Sequence, residues 1–473
     1  MQKLLFTLTF LLSTLFCVAQ FADIHSFNYT NGGDPSGSLI LSADSTKVYG
    51  MTPNGGANNY GCIFVMDTNG SNYRELYDFN YIDGAKPFGS LVLAGGNLYG
   101  VTRSGGINQD GVIFQVDTVN GGRYRDIFNF NYTNGKSPNG SLIIYKNVLY
   151  GTTDSGGTNG QGNIFSIDTN GTHFRDMYNF NGTSGSYPMG SLTMVRNKLY
   201  GMTNTGGAHT DGVIFSIDTN GAAYKDMFDF TSGIGTLPYG SLVAGGNALF
   251  GMTYYNGLHN QGVLFSIDTN GSGYKILVNF SGPNGSDPEG SLIVSGNRLY
   301  GMTSEGGINA SGNVFSVKTN GTGFVKMFDF DNINGGYPKG DLVLDGNSLL
   351  GMTMNGGANS SGVVFKIDTN AVSYLAVNNL ITNSEELRVY PNPNNGRFTI
   401  EVNSEKLKVN SVAEIYNSLG QKVYSSPFIP DSYRDHNSSF IIDLSGQPAG
   451  IYLYRIITEA GDLISSGKVV VEK

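Results

Sequence analysis

The chain repeats itself with a period of about fifty residues, and this constrains its fold more than any other feature. Each period carries four short words. The first, G-S-L, opens at Gly37, Gly89, Gly140, Gly190, Gly240, Gly290 and Gly340, with Asp341 in place of serine in the last copy. The second, Y-G-M-T, has its glycine at Gly50, Gly100, Gly151, Gly201, Gly251, Gly301 and Gly351. The third, G-V-I-F-x-I-D-T-N-G, places phenylalanine at Phe64, Phe114, Phe165, Phe215, Phe265, Phe315 and Phe365. The fourth, F-D-F or F-N-F, ends at Phe79, Phe130, Phe180, Phe230, Phe280 and Phe330.

Each word reads as a strand. In G-V-I-F-S-I-D, Val213, Phe215 and Ile217 fall on one face while Ile214, Ser216 and Asp218 fall on the other. Four short strands per unit, seven units and no helical pattern predict an all-β chain whose main body is a seven-bladed β-propeller. A ring must close, and a further copy of the fourth word stands near the start: "DIHSFNYTNG", Asp23 to Gly32, matches "DIFNFNYTNG", Asp126 to Gly135. The corresponding "SYLAVNNL" after Asn370 is degenerate. Residues around Phe21 to Tyr29 are therefore expected to form the outer strand of the seventh blade, with its three inner strands drawn from Gly340 to Asn370.

Turn lengths orient the ring. Short links ("AGGN", "SGN", "DGN") join the first and second strands, and "DTNG" joins the third and fourth, where Asn-Gly favours a type I′ hairpin. The longer links, such as "NTGGAHTDG" and "NYTNGKSPNG", are expected together on the opposite face, where recognition tends to sit. Paired charges on the outer strand (Arg74 and Glu75, Arg125 and Asp126, Arg175 and Asp176, Lys225 and Asp226) read as protection of an exposed edge.

Composition agrees. The chain has 68 Gly, 28 Tyr and 28 Phe but only 14% charged residues, which suits strands and tight turns. Its net charge of −9 gives no basic footprint for nucleic acid. The first residues, Lys3 followed by an apolar run from Leu4 to Phe16 and small residues at Val18 and Ala19, read as a signal peptide over 1–19. Cleavage is expected after Ala19, with Gln20 the alternative, and no transmembrane segment remains in the mature chain. Cys17 does not make this a lipoprotein signal, because Phe16 is too bulky for the position before a lipidated cysteine. Cys62 is then the one cysteine left, so no intramolecular disulfide forms, and it reads as a small buried strand residue.

The words are also familiar as a family. "NLYGVTRSGGINQDGVIFQVD" resembles the choice-of-anchor tandem repeats called GloVer repeats, with their L-Y-G-T-T, Gly pair and G-V-F-K-L. The resemblance spans roughly Gln20 to Leu380, with departures at Phe250, Leu350 and Asn256. It implies an exported surface protein and no defined activity.

After a polar link over 381–386 the vocabulary changes. Alternating segments from Leu387 to Lys473, separated by Asn-Gly, Leu-Gly and Ala-Gly turns, predict a small immunoglobulin-like β-sandwich. This region resembles the type A C-terminal sorting domain of the type IX secretion system. The matching positions are Tyr390, Pro391, Asn392, Pro393, Gly396 and Phe398, then Gly420 and Val423, then Gly450, Tyr452 and Tyr454, and the final run from Lys468. The resemblance implies Sec export, then recognition by the type IX translocon and its sortase, with attachment to the surface of a Gram-negative bacterium or release.

No catalytic constellation is evident. His25, His173, His209, His259 and His436 include no pair with zinc-site spacing, although His209 and His259 occupy nearly the same slot in adjacent repeats. "DTNG" lacks the oxygen run and closing Glu of a calcium loop, and no G-x-S-x-G, Walker or dinucleotide fingerprint occurs. No metal or cofactor is expected. Acidic or basic residues that break the repeat at inner strands are almost absent, so a binding, adhesion or structural role is favoured over a propeller glycosidase or lyase. The ligand, a glycan or protein, is expected on the long-loop face at Tyr60, Arg103, Gln109, His209, Asp211, Tyr254, Tyr255, His259 and Glu305. The chain has no Trp for stacking on sugars, a task left to Tyr254 and Tyr255.

Overall fold

The computed structural model describes residues 21–119, 123–369, 387–403, 411–417, 422–428, 437–458 and 463–472. The expected signal peptide, the "SYLAVNNL" segment, the link over 381–386 and Gly420 lie outside the described residues. The chain divides into two compact units, Met1–Thr369 and Asn370–Lys473.

The first unit contains seven four-stranded antiparallel sheets. The fourth is typical, with strands Thr193–Val195, Lys198–Thr203, Val213–Asp218 and Lys225–Asp229 paired in sequence order. Gly201 faces Phe215 in register, and a Cβ at Gly201 would lie within 3.0 Å of the Phe215 ring. The glycine of Y-G-M-T is thus the bed on which the third-strand phenylalanine lies. Phe180, closing the word before, meets the Phe215 ring edge-on at 5.3 Å, and Tyr224 stacks on it at 5.8 Å. Phe180, Leu192, Leu199, Val213, Phe215 and Ile217 share one apolar cluster with Tyr150 and Ile164 of the third sheet, so the core lies between neighbouring sheets. A bulge opposite Ile214 and Phe215 re-aims the fourth strand.

Closure follows the expected route. Phe21–Ser26 pairs antiparallel with Val363–Asp368, completing a sheet whose other strands are Val343–Asp345 and Ser348–Thr353. Phe21 stacks on Phe328 of the sixth sheet at 4.0 Å, and His25 stacks on Tyr73 of the first at 4.0 Å. Comparable stacks join other neighbours: Tyr77 with Tyr124, Phe128 with Phe174, Tyr178 with Tyr224, and Phe228 with Tyr274, at 3.7–4.2 Å.

The two link classes separate as expected. Thr219 N–H donates to Asn197 O, joining the short turns, while Ser186 N–H donates to Thr205 O, joining the long loops. The turn type is different. In "DTNG" Gly70 N–H donates to Asp67 O, and φ is positive at Gly70 (89°) but not at Asn69. Thr and Asn are therefore the centre of a type I turn and Gly takes the left-handed position after it, because the loop closes on the residue beyond, with Asp67 N–H donating to Ser71 O. The left-handed pair expected there stands between the first and second strands instead, at Gly95 and Gly96 (56° and 76°).

The outer-strand charges are also not a simple solvated edge. Arg175 donates to Asn220 O at 2.9 Å and Lys225 to Asn270 O at 3.1 Å, so the bases cap the hairpin of the next sheet. Glu75, Asp126 and Asp226 are half-buried, while Asp176 is exposed. Burial and the neighbouring Asp78, to which protonated Glu75 donates, push Glu75 up to about 7. Burial and Asp229 push Asp226 up to about 6. A carboxyl raised on folding stabilises fully below its unfolded value and loses that contribution as pH climbs through the folded one. His25 is lowered by burial and acts in the opposite sense only below its ordinary 6.5. The melting temperature is thus expected to rise by about 1–3 °C between pH 8 and 6.5. Glu75→Gln should raise it at pH 8 and flatten the profile; a fall on acidification, or a profile indifferent to Glu75→Gln, contradicts the assignment.

The second unit has a three-stranded sheet (Leu387–Tyr390, Arg397–Asn403, Asn437–Asp443) and a four-stranded one (Lys422–Phe428, Ser411–Tyr416, Gly450–Thr458, Leu463–Val471). Phe398, Ile400 and Ile442 of the first share one buried cluster with Ile415, Tyr452, Tyr454, Ile456 and Val469 of the second, so the sheets face each other. No helix among the described residues is long and apolar enough to cross a membrane.

Candidate functional site: the mouth of the central channel

The G-S-L word brings all seven sheets to one axis. A Cβ on Gly37, Gly89, Gly140, Gly190, Gly240, Gly290 or Gly340 would lie within 3.0 Å of the next glycine's carbonyl oxygen, and Gly340 meets Gly37. Glycine is needed here for close approach rather than for an unusual φ. The following residue ties the ring together. Ser38 N–H donates to Ser90 Oγ, Ser90 to Ser141, Ser141 to Ser191, Ser191 to Ser241, Ser241 to Ser291, Ser291 to Asp341 Oδ1, and Asp341 N–H to Ser38 Oγ. The cycle closes across 303 residues of sequence. Asp341 accepts like the serine it replaces, and its burial raises its pKa against the lowering effect of those hydrogen bonds.

Above this ring lies a cavity of about 230 Å³. Its framework repeats but its lining does not. Between the proline and glycine of each P-x-G-S segment stand Ser36, Phe88, Asn139, Met189, Tyr239, Glu289 and Lys339, all different and all lining the cavity. The position after the Y-G-M-T threonine holds Pro53, Arg103, Asp154, Asn204, Tyr254, Ser304 and Met354, again all different, with Arg103 and Met354 on the cavity wall.

These side chains interact around the mouth. Arg103 lies 3.5 Å from Asp154 and 5.6 Å from the centre of the Phe88 ring. Asp154 is raised by burial and held back by that guanidinium. Lys339 pairs with Glu289 at 3.0 Å, and Tyr239 meets Tyr254 edge-on at 5.1 Å. Burial, Glu305 and Glu289 push Asp287 up to about 6. The mouth therefore offers aromatic faces and two cation–carboxylate pairs, Arg103 with Asp154 and Lys339 with Glu289, an arrangement able to orient a polar ligand with an apolar face.

Of the residues expected to bind ligand, Arg103 and Tyr254 stand at this mouth, and Glu305 lies near Tyr254 and Asp287. The others sit on the outer loops. Asn58, Asn108 and Asn359 in those loops donate to the carbonyls of Phe79, Phe130 and Phe27, and Ala208 N–H donates to Asp229, so the loop tips lie over the outer strands. Tyr60, Gln109, His209, Tyr255 and His259 are exposed there, and Asp211 is partly so. The two histidines gather no acidic, Cys or His partners into a group of three among the described residues. Cys62 is buried and its thiol is pushed up to about 12 by burial, as suits an inert strand residue. Sequence reasoning missed Phe88, Asp154, Tyr239, Asp287, Glu289 and Lys339. For all of these but Asp287, the available signal was the two positions that differ in every copy of an otherwise repeating text.

In the second unit the sorting residues divide between surface and core. Tyr390, Pro391, Asn392, Pro393 and Lys468 are exposed, while Phe398 and Tyr452 are buried. Asn392 accepts from Val470 N–H at 2.8 Å and donates to Lys468 O, and Asn394 donates to Val470 O at 3.0 Å. Gly396 takes φ 100° and Gly450 φ 158°.

A model described as the Gloeobacter/Verrucomicrobia repeat matches residues 13–147, 118–286 and 238–386, and one described as the secretion system C-terminal sorting domain matches residues 388–472. No curated protein matches the sequence. Similar solved structures include TolB from Acinetobacter baumannii, at 16% identity and TM-score 0.37, over 61% of this chain and 63% of that one. An oligogalacturonate lyase in complex with manganese is 12% identical with TM-score 0.44, over 72% and 89%. The polysaccharide lyase Uly1 is 10% identical with TM-score 0.44, over 73% and 91%. At these identities and scores the neighbours carry nothing about activity.

Proposed function

Because this chain belongs to the Gloeobacter/Verrucomicrobia repeat family, we propose that it is an exported binding protein whose recognition site is the mouth of the central channel. Its sorting domain indicates export through type IX secretion, to the cell surface or the surroundings of a Gram-negative bacterium. In this reading residues 1–19 are the signal peptide, 20–380 a seven-bladed β-propeller and 387–473 an immunoglobulin-like sorting domain, joined by 381–386.

One observation carries the site. Seven copies of P-x-G-S keep Pro, Gly and the hydrogen-bonding residue in place, yet no two share the residue between. A purely structural ring has no use for that asymmetry, whereas an asymmetric ligand requires it. The test is an array of glycans and bacterial surface proteins probed with the mature chain and with a quadruple variant, Phe88→Ser, Met189→Ser, Tyr239→Ser and Glu289→Ser. The native chain is expected to bind features that the variant loses by tenfold or more at unchanged circular dichroism. Equal binding by both, or none by either, rejects the mouth as the site.

An enzyme acting in the same mouth is a second reading, favoured by Asp287: a carboxyl held near 6 close to Tyr254 is suited to proton transfer. Turnover of a polysaccharide lost on Asp287→Asn, with binding retained, would select it.

A further inference from the structure

Six of the seven seams between sheets carry a ring stack, and the seam between the fifth and sixth does not, because Val278 stands where the others have an aromatic ring or His25. A cavity of about 560 Å³ opens on the long-loop side of this seam, lined by Gln261, Gly282, Pro283, Ser286, Glu305 and Lys326 among others. The same place between the second and third sheets is filled by an ion pair. There Asp110 takes Lys136 at 3.0 Å and accepts from Tyr132 N–H at 2.8 Å. At the fifth seam the equivalent positions hold Gln261 and Ser286, which carry no charge and form no ion pair. The Gln261 Oε1 atom is enclosed and has no hydrogen-bond donor among the described residues. Gln161 and Ser186 repeat the pair at the third seam, but Thr205 and Asp226 replace Glu305 and Lys326, and Tyr178 stacks on Tyr224.

We infer that this cavity is a binding site for a saccharide unit, separate from the channel mouth and independent of the function proposed for it. An enclosed amide oxygen without a donor costs free energy, and turning the Gln261 amide toward the adjoining cavity would let a ligand donor satisfy it. Glu305 lines the same cavity as an acceptor, and Lys326, 3.2 Å from Pro283 O and paired with Asp329 at 2.9 Å, keeps one of its three N–H donors for a ligand. A cation would meet Lys326 and an anion would meet Glu305. A neutral ligand with adjacent donors and acceptors satisfies both, and vicinal hydroxyls have that pattern. Gly282 and Gly306 leave backbone bare, and Pro283 offers an apolar face on which a sugar ring can lie. The volume falls within the roughly 300–1,000 Å³ of small-molecule sites.

The test is saturation-transfer NMR and calorimetry on the mature full chain with D-galactose, L-rhamnose, cellobiose and, as the competing chemistry, putrescine. At least one of the three sugars is expected to bind and putrescine not. Gln261→Asp with Ser286→Lys, which rebuilds the ion pair of the second seam, should weaken that sugar at least tenfold and raise the melting temperature. Gln261→Leu, which removes the acceptor without adding charge, should weaken it likewise if the double variant does not fold. Tyr239→Ala with Glu289→Ala at the channel mouth should leave it unchanged. The inference is overturned if no sugar binds, if only putrescine binds, or if the sugar is indifferent to both Gln261 variants.

Discussion

A mature chain lacking Phe21–Phe27 is expected to melt at least about 10 °C below the native chain and to aggregate as it does so. The segment is short, but it closes a ring. Its six-residue strand is the fourth strand of the seventh sheet, and without it Val363–Asp368 becomes an unpaired edge. Phe21 is stacked on Phe328 and packed against Phe365, and Phe27 is fully buried with its edge against Phe64. Truncating one such buried ring costs about 3–5 kcal/mol. Both seams of the seventh sheet lose contacts at once, since Phe21 serves the sixth sheet and His25 the first. Differential scanning calorimetry on the deletion and on Phe27→Ala alone measures the effect, and an unchanged melting temperature would falsify the clasp.

Truncation after Glu386 should abolish surface delivery and leave the repeat unit in the periplasm. The matched sorting region covers residues 388–472, so the cut removes all of it. Fractionation of the native host, with protease shaving of intact cells, reads the outcome. Undiminished surface display would refute the role of this domain. Asn392→Ala with Asn394→Ala should reduce export by several-fold, because these two side chains clamp the exposed opening motif onto the last strand at Lys468 and Val470. Export unaffected by that pair would mean the motif is read without its partner strand.

Much of the architecture was legible because the repeat reports its own rules. Four recurring words in every unit mark four short strands, and a spare outer strand at one end with a degenerate one at the other marks a clasp. Local turn geometry was less legible. Asn-Gly has two acceptable solutions, and the choice fell to where the next residue's carbonyl could reach Asp67 N–H and its equivalents. The outer-strand bases are exposed, as an edge reading expects, but a single strand does not reveal that the next sheet's hairpin stands within reach of Arg175 or Lys225.

The sequence by itself determined the seven units, their strands, the closing segment and the sorting domain, since each depends on residues adjacent in the chain or on a pattern that recurs. The tertiary structure alone decided the candidate sites. Phe88, Tyr239 and Glu289 belong to different sheets and become neighbours only when seven G-S segments meet at one axis. Gln261 and Glu305 face one cavity only because two sheets pack side by side. Spacing along the chain carries no information about convergence around a ring; that comes from steric closure, in which only glycine fits at the axis and Asp341 returns to Ser38.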